Sequence, residues 1–139
     1  VLSNQITKKV TNFCKGNKNA FFFKSLGRKL YLSCAKNVDA VIGNSSSGII
    51  EVPSLNKPSI NIGKRQHGRV KSKSVISCDF NKFKILSSIN KAYSNKFSNK
   101  LKKLKNPYYK KNSTQNIINI IRGVRLNEIL IKKFYDIKF

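Results

Sequence analysis

The chain has 139 residues, enough for one domain, and 40% of them are hydrophobic, which excludes wholesale disorder. No apolar run approaches the roughly 18–20 residues of a membrane span and the start has no secretory pattern, so the chain reads as soluble and cytoplasmic. A formal net charge of +24, from 29 Lys and Arg against five Asp and Glu, raises nucleic acid as a partner without deciding it.

In chain order, Asn4 to Cys14 carries Ile6, Val10 and Phe13 at helical spacing, and Gly16 with its Asn-rich surroundings stops it. Ala20–Phe23 is a short aromatic run suited to a buried strand. Gly27 to Asn37 reads as a helix with Leu30, Tyr31, Cys34 and Ala35 on one face. The apolar run Asp39-Ala-Val-Ile-Gly43 is a strand that leads straight into Asn44-Ser-Ser-Ser-Gly48. Ile49 to Leu55 is helical, with Pro53 forced to an end or a kink. Pro58 introduces the strand Ser59–Ile62, and the polar loop Gly63–Arg69 leads to the strand Val75–Cys78.

After Asp79, a candidate N-cap, the pattern turns helical through Phe83, Ile85, Leu86 and Ile89, then Leu101 and Leu104. Asn106-Pro107 breaks it. Ser113 to Ile121 is a further helix ended by Gly123, and a tail to Phe139 keeps Leu126, Ile129, Leu130 and Phe134 at helical spacing. Short apolar strands alternating with amphipathic helices predict an α/β fold, a parallel sheet with flanking helices.

Two loops leave the carboxyl ends of neighbouring strands, where open α/β sheets bind ligands. In the first, the Ser hydroxyls and free N–H groups of Asn44-Ser-Ser-Ser suit a phosphate. Gly48 permits close backbone approach, and Glu51, one of five acids, suits a pair of ribose hydroxyls. Against this stands an ordinary capped helix, with Ser at the cap and Glu51 near the positive end of its dipole. The second loop, Asn61-Ile-Gly-Lys-Arg-Gln-His-Gly-Arg69, offers two Arg to a diphosphate, against a merely solvated basic loop.

Most of the cations are Lys, whereas base readout favours Arg, and no helix-turn-helix, zinc-finger or RNP-type motif is present. A basic nucleic-acid or polyanion binder on an α/β scaffold is therefore the secondary reading. Cys14, Cys34 and Cys78 are widely spaced and His67 has no partner at ligand spacing, so reduced thiols are expected and no metal site. The absence of Met points to a segment of something longer.

Taken together, Lys24-Ser-Leu-Gly27, Tyr31-Leu-Ser33, Gly43-Asn-Ser-Ser-Ser-Gly-Ile-Ile-Glu-Val-Pro-Ser54, Pro58-Ser-Ile-Asn-Ile-Gly63, Arg65-Gln66, Gly68-Arg69 and Ser74-Val-Ile76 resemble the UDP-N-acetylglucosamine 2-epimerase family, its hydrolysing, sialic-acid-pathway branch in particular. The resemblance implies the C-terminal Rossmann-like domain of a GT-B-type two-domain enzyme. On it, 1–122 is a partial UDP-binding domain, 123–139 a helical tail, and the partner is UDP or a UDP-N-acetylglucosamine-type nucleotide sugar. Carried over by position, Ser45 and Ser46 meet the diphosphate, Glu51 the ribose, the Leu26 backbone the uracil, Tyr31 the ring face and Arg65 the phosphate side. The implied chemistry is anti elimination of UDP followed by water addition with inversion at C2, without metal or redox cofactor.

The family's acid and base groups lie in parts not matched here, so this chain is expected to be inactive alone, with the N-terminal domain as a possible separate partner chain. No catalytic role falls to His67. Two departures stand out. Gly63-Lys64-Arg65-Gln66 replaces the family's Gly-Asp-Arg-Gln. Asn106-Pro-Tyr-Tyr-Lys-Lys111 replaces Asn-Pro-Tyr-Gly-Asp-Gly, which would strain Tyr109 and Lys111 if the turn needs positive φ. Relatives also carry two earlier strand units, which would leave Phe21–Phe23 as an unpaired edge.

Overall fold

A computed structural model describes residues 2–102 and 104–124. They fall into two compact units, the first through Asn106 and the second from Pro107. The tail expected to be helical lies outside the described residues from 125 onward.

The first unit begins with helix α1, Leu2–Lys15, which stops where Asn17 Nδ2 donates to the Phe13 carbonyl at 2.8 Å. The helix is as expected, but Ile6, Val10 and Phe13 are exposed. The predicted strand Ala20–Phe23 does not form. A strand needs a neighbour to take its N–H and C=O groups, and among the described residues none lies alongside. Phe21 is 76% exposed. The segment is an irregular link into helix α2, Gly27–Asn37. Of the four residues expected on the inner face of α2, Ala35 is buried and Tyr31 half-buried, while Leu30 and Cys34 are exposed.

Three short parallel strands follow, β1 (Val41–Gly43), β2 (Ser59–Ile62) and β3 (Val75–Cys78), side by side in chain order. Register pairs Ile42 with Ile60 and Ile60 with Ile76, and it sets Gly43 beside Asn61. Between β1 and β2 the single predicted helix divides. One turn of α-helix, α3 (Ser47–Ile50), gives way to a 3-10 turn, Val52–Leu55, with Pro53 near its start, where a missing N–H costs nothing. Asn56, with φ +55°, reverses the chain into β2.

Alternation along β2 divides the core. Ser59 and Asn61 face one side and Ile60 and Ile62 the other. On the first face α3 approaches so closely that a Cβ on Gly48 would stand 2.6 Å from Ser59 Oγ. On the second, Ile60 and Ile76 pack with Ala92, Phe97 and Leu101, supported by Ile62, Cys78, Ile89 and Leu104. These come largely from helices α4 (Lys82–Tyr93) and α5 (Asn95–Leu101). Each fully buried side chain of this kind contributes about 1.5–3 kcal/mol. The fold is thus a three-stranded parallel sheet with helices on both faces, as predicted.

The cap of α4 is Asn81, not Asp79. Its Oδ1 accepts from the N–H groups of Phe83 and Lys84 at 2.9 and 3.2 Å, a reach Asp79 lacks because it stands two residues too early. Asp79 instead pairs with Lys84 at 2.7 Å. Phe83 and Leu86, predicted on the apolar face of α4, are exposed, and Ser88 and Ala92 are buried in their place.

The second unit contains helix α6, Ser113–Gly123, as predicted. The strain expected at Tyr109 and Lys111 does not arise. Positive φ falls on Asn112, at +57°, a residue type that tolerates the left-handed region.

Candidate functional site

Because the strands are parallel, the loops leaving β1 and β2 lie on one edge, as the sequence suggested. After Gly43 the chain makes the turn Asn44-Ser45-Ser46 and enters α3. Ser46 takes the cap position with no side-chain bond, and its carbonyl accepts from Ile49 and Ile50 N–H, both at 3.0 Å. The Ser45 hydroxyl receives only a long bond from Ser47 N–H, at 3.4 Å. Among the described residues the N–H groups of Ser45 and Ser46 have no protein partner. They are donors free for an anion. A helix of one turn adds little macrodipole, so attraction for an anion rests on these N–H groups and hydroxyls rather than on the dipole.

Glu51 ends α3, its N–H bonded to the Ser47 carbonyl at 3.0 Å. Its side chain is half-buried, and among the described residues its carboxylate has no hydrogen bond or ion pair. Asp39 likewise lacks an ion pair among the described residues, but it is exposed and accepts from the Tyr93 hydroxyl at 3.4 Å, so Glu51 is the half-buried acid with neither kind of partner there. Asn106 holds the same stretch from outside. Its Nδ2 donates to the Ile50 carbonyl at 2.7 Å and to Ser54 Oγ at 2.6 Å, gripping the chain on both sides of Glu51.

Tyr31 reaches from α2 to α3, where Ser47 Oγ donates to its hydroxyl at 2.9 Å. That bond brings two of the sequence motifs together and fixes the ring's outer end. Leu26, half-buried, occupies the first position before α2, ahead of Gly27 with φ +62°. Gly48 is required first by packing, since any side chain there meets Ser59.

The second loop is joined to the first by Gln66. It is 3% exposed, and its Nε2 donates to the Asn44 carbonyl at 2.9 Å. Its Oε1 and the Oδ1 of buried Asn61, next to Gly43 in register, have no partner among the described residues. Gly63 turns this loop at φ +75°, and a Cβ there would strike the Phe80 ring. Arg65 is exposed, with no hydrogen bond or ion pair to the first loop among the described residues.

Sequence reading counted Ser47 only among the phosphate-facing serines and gave Gln66 and Asn106, though inside quoted motifs, no individual role. The first lay inside a run of three serines, the second between basic neighbours, and the third at a break before Pro107. Burial and long-range bonding distinguish them, and neither leaves a local pattern.

A cleft of about 690 Å³ lies beyond this edge, between the second loop, β3 and α4. Lys64, His67, Lys71, Lys84 and Lys91 line it together with Asp79, and it contains none of Tyr31, Ser45, Ser46 and Glu51. The Lys84 side chain bonds Asp79, which holds the Asp79 carboxyl below its usual value of 3.8 through that bond and the ammonium charge. Among the described residues no three His, Cys, Asp or Glu gather as metal ligands, and no helix is long and apolar enough to cross a membrane.

Comparison with known proteins matches residues 1–122 to the profile of a family described as UDP-N-acetylglucosamine 2-epimerase. The chain is 41% identical over 136 residues to the polysialic acid biosynthesis protein P7 of Escherichia coli, covering 97% of this chain and 34% of that one. It is 44% identical over 82 residues to a GDP/UDP-N,N'-diacetylbacillosamine 2-epimerase (hydrolyzing) of Campylobacter jejuni, covering 58% and 21%. A UDP-N-acetylglucosamine 2-epimerase of Neisseria meningitidis is 38% identical over 72 residues, covering 52% and 19%. The chain spans about a third or less of the length of these relatives.

Proposed function

The chain belongs to the UDP-N-acetylglucosamine 2-epimerase family, and from that premise we propose that it is the UDP-holding portion of a hydrolysing member. The observation that carries the reading is the first loop. Among the described residues, Ser45 and Ser46 offer unpartnered N–H groups at the carboxyl end of a parallel strand, and the unpaired acid Glu51 follows one turn later. A nucleoside diphosphate needs that pairing of chemistries, donors for its anionic phosphates and an acceptor for its ribose hydroxyls.

In this reading Ser45 and Ser46 take the diphosphate, with Gly48 keeping α3 low beneath them, and Glu51 accepts from the ribose. The Leu26 backbone meets the uracil, Tyr31 covers the ring, and Arg65 closes on the phosphates from the second loop. The whole protein's reaction would be loss of UDP from a UDP-N-acetylglucosamine-type sugar, breaking the C1–O bond as the C2 proton leaves, then water addition that inverts C2. The groups that move those protons are assigned to parts of the family's chain not matched here, so this portion alone binds and does not turn over.

The test is thermal unfolding of the chain with UDP at physiological salt, beside Glu51→Ala. A ligand at one hundred times its Kd adds about 2.7 kcal/mol, a rise of several degrees in Tm. A rise present in the wild type and absent in Glu51→Ala supports the reading. Equal stabilisation by any polyanion, fading with salt, would favour a nonspecific basic surface instead.

A further inference from the structure

We propose that Gln66 is a positioning residue that aims the Ser45 N–H at the diphosphate, an inference that rests on the UDP site proposed above. Burying an amide side chain costs desolvation and rotamer freedom, and this one is 3% exposed yet only half satisfied. Its Nε2 bonds the Asn44 carbonyl at 2.9 Å, across 22 residues of sequence, while its Oε1 has no partner among the described residues. One neutral hydrogen bond, worth about 0.5–1.5 kcal/mol net, is a small return on burying the whole amide.

The geometry of the peptide unit gives that bond a second consequence. The Asn44 carbonyl and the Ser45 N–H belong to one planar peptide, which is trans here as elsewhere among the described residues, and in a trans peptide the two point in opposite directions. Tying the carbonyl down to Gln66 therefore turns the Ser45 N–H away from Gln66, and that N–H is one of the two without a protein partner among the described residues. The bond to the carbonyl also polarises the peptide and strengthens the N–H as a donor. Gln66 itself never touches the ligand.

The variants are Gln66→Met, of similar length without a donor, and Gln66→Asn, which keeps the amide one methylene short. The full chain is titrated by calorimetry with UDP and, separately, with uridine, which lacks phosphates. Circular dichroism checks that each variant folds. The expected result is a roughly tenfold weaker UDP affinity in Gln66→Met, a smaller loss in Gln66→Asn, and unchanged uridine affinity in both. A purely structural Gln66 would lower Tm while leaving both affinities alone, or weaken both equally, and either result overturns the proposal. Should Gln66→Met not fold, Gln66→Asn decides by the same split between UDP and uridine. A wild type that binds neither ligand overturns the proposal together with the site it rests on, whereas normal binding by the variants overturns the positioning role alone.

Discussion

Replacing Gly48 with Ala places a methyl carbon 2.6 Å from Ser59 Oγ, about 0.8 Å inside the 3.4 Å at which ordinary contact begins. Ser59 is 2% exposed on the central strand, so little room exists for relief except rotation of its hydroxyl. Overpacking of this kind costs about 1–3 kcal/mol. Ala in place of Gly in a helical turn returns up to ~1 kcal/mol, so the net expectation is about 1–2 kcal/mol of destabilisation. Ser59→Ala removes the obstructing oxygen and leaves its Cβ at a comfortable 3.8 Å. The double variant Gly48→Ala/Ser59→Ala should then be no less stable than Ser59→Ala alone, giving a favourable coupling of about 1–2 kcal/mol. Urea denaturation of the four proteins measures it. A neutral Gly48→Ala in the presence of Ser59, or additivity across the cycle, would refute the packing argument and return Gly48 to a role facing the ligand only.

Asn81→Ala should cost about 1 kcal/mol through loss of the α4 cap, whereas Asp79→Ala leaves the cap intact; chemical denaturation separates the two. For Asp79 the folded carboxyl is lowered from 3.8 by the Lys84 hydrogen bond and then by its charge. Its small, salt-screened contribution is therefore present above 3.8 and lost as pH falls through the lowered folded value. The Lys84 ammonium is raised from 10.5 by the same bond, so its share is present below 10.5 and lost as pH rises through the raised value. NMR titration of the Asp79 carboxyl, with and without Lys84→Ala, should show the value return toward 3.8, and no change on removing Lys84 would contradict the pairing.

What could be read from residue order was the part governed by local pattern. The alternation around Val41–Gly43, Ser59–Ile62 and Val75–Cys78 gave strands, Pro53 gave a helix interruption, and strand-turn-helix order put the Ser45 and Arg65 loops on one edge. What failed depended on neighbours. Phe21–Phe23 has strand composition but no strand beside it among the described residues, and Phe83 sits at helical spacing yet is exposed, because the buried face of α4 is the one carrying Ser88 and Ala92. Asp79 and Asn81 are both capping residue types two positions apart, and only backbone geometry chooses between them. Gln66 and Asn106 act over 22 and 56 residues of separation, a distance at which sequence spacing carries no signal.

The central claim, a nucleotide seated on the first loop, is tested most directly by mapping amide shifts of the 15N-labelled chain as UDP is added at physiological salt. The account predicts saturable changes concentrated at Leu26–Gly27, Ser45–Gly48 and Glu51, with Ser45 among the largest, and their disappearance in Glu51→Ala. Changes spread over the lysines of α4 and the 63–71 connection, with Ser45 and Ser46 unmoved, would contradict it and mark the chain as a polyanion-binding surface.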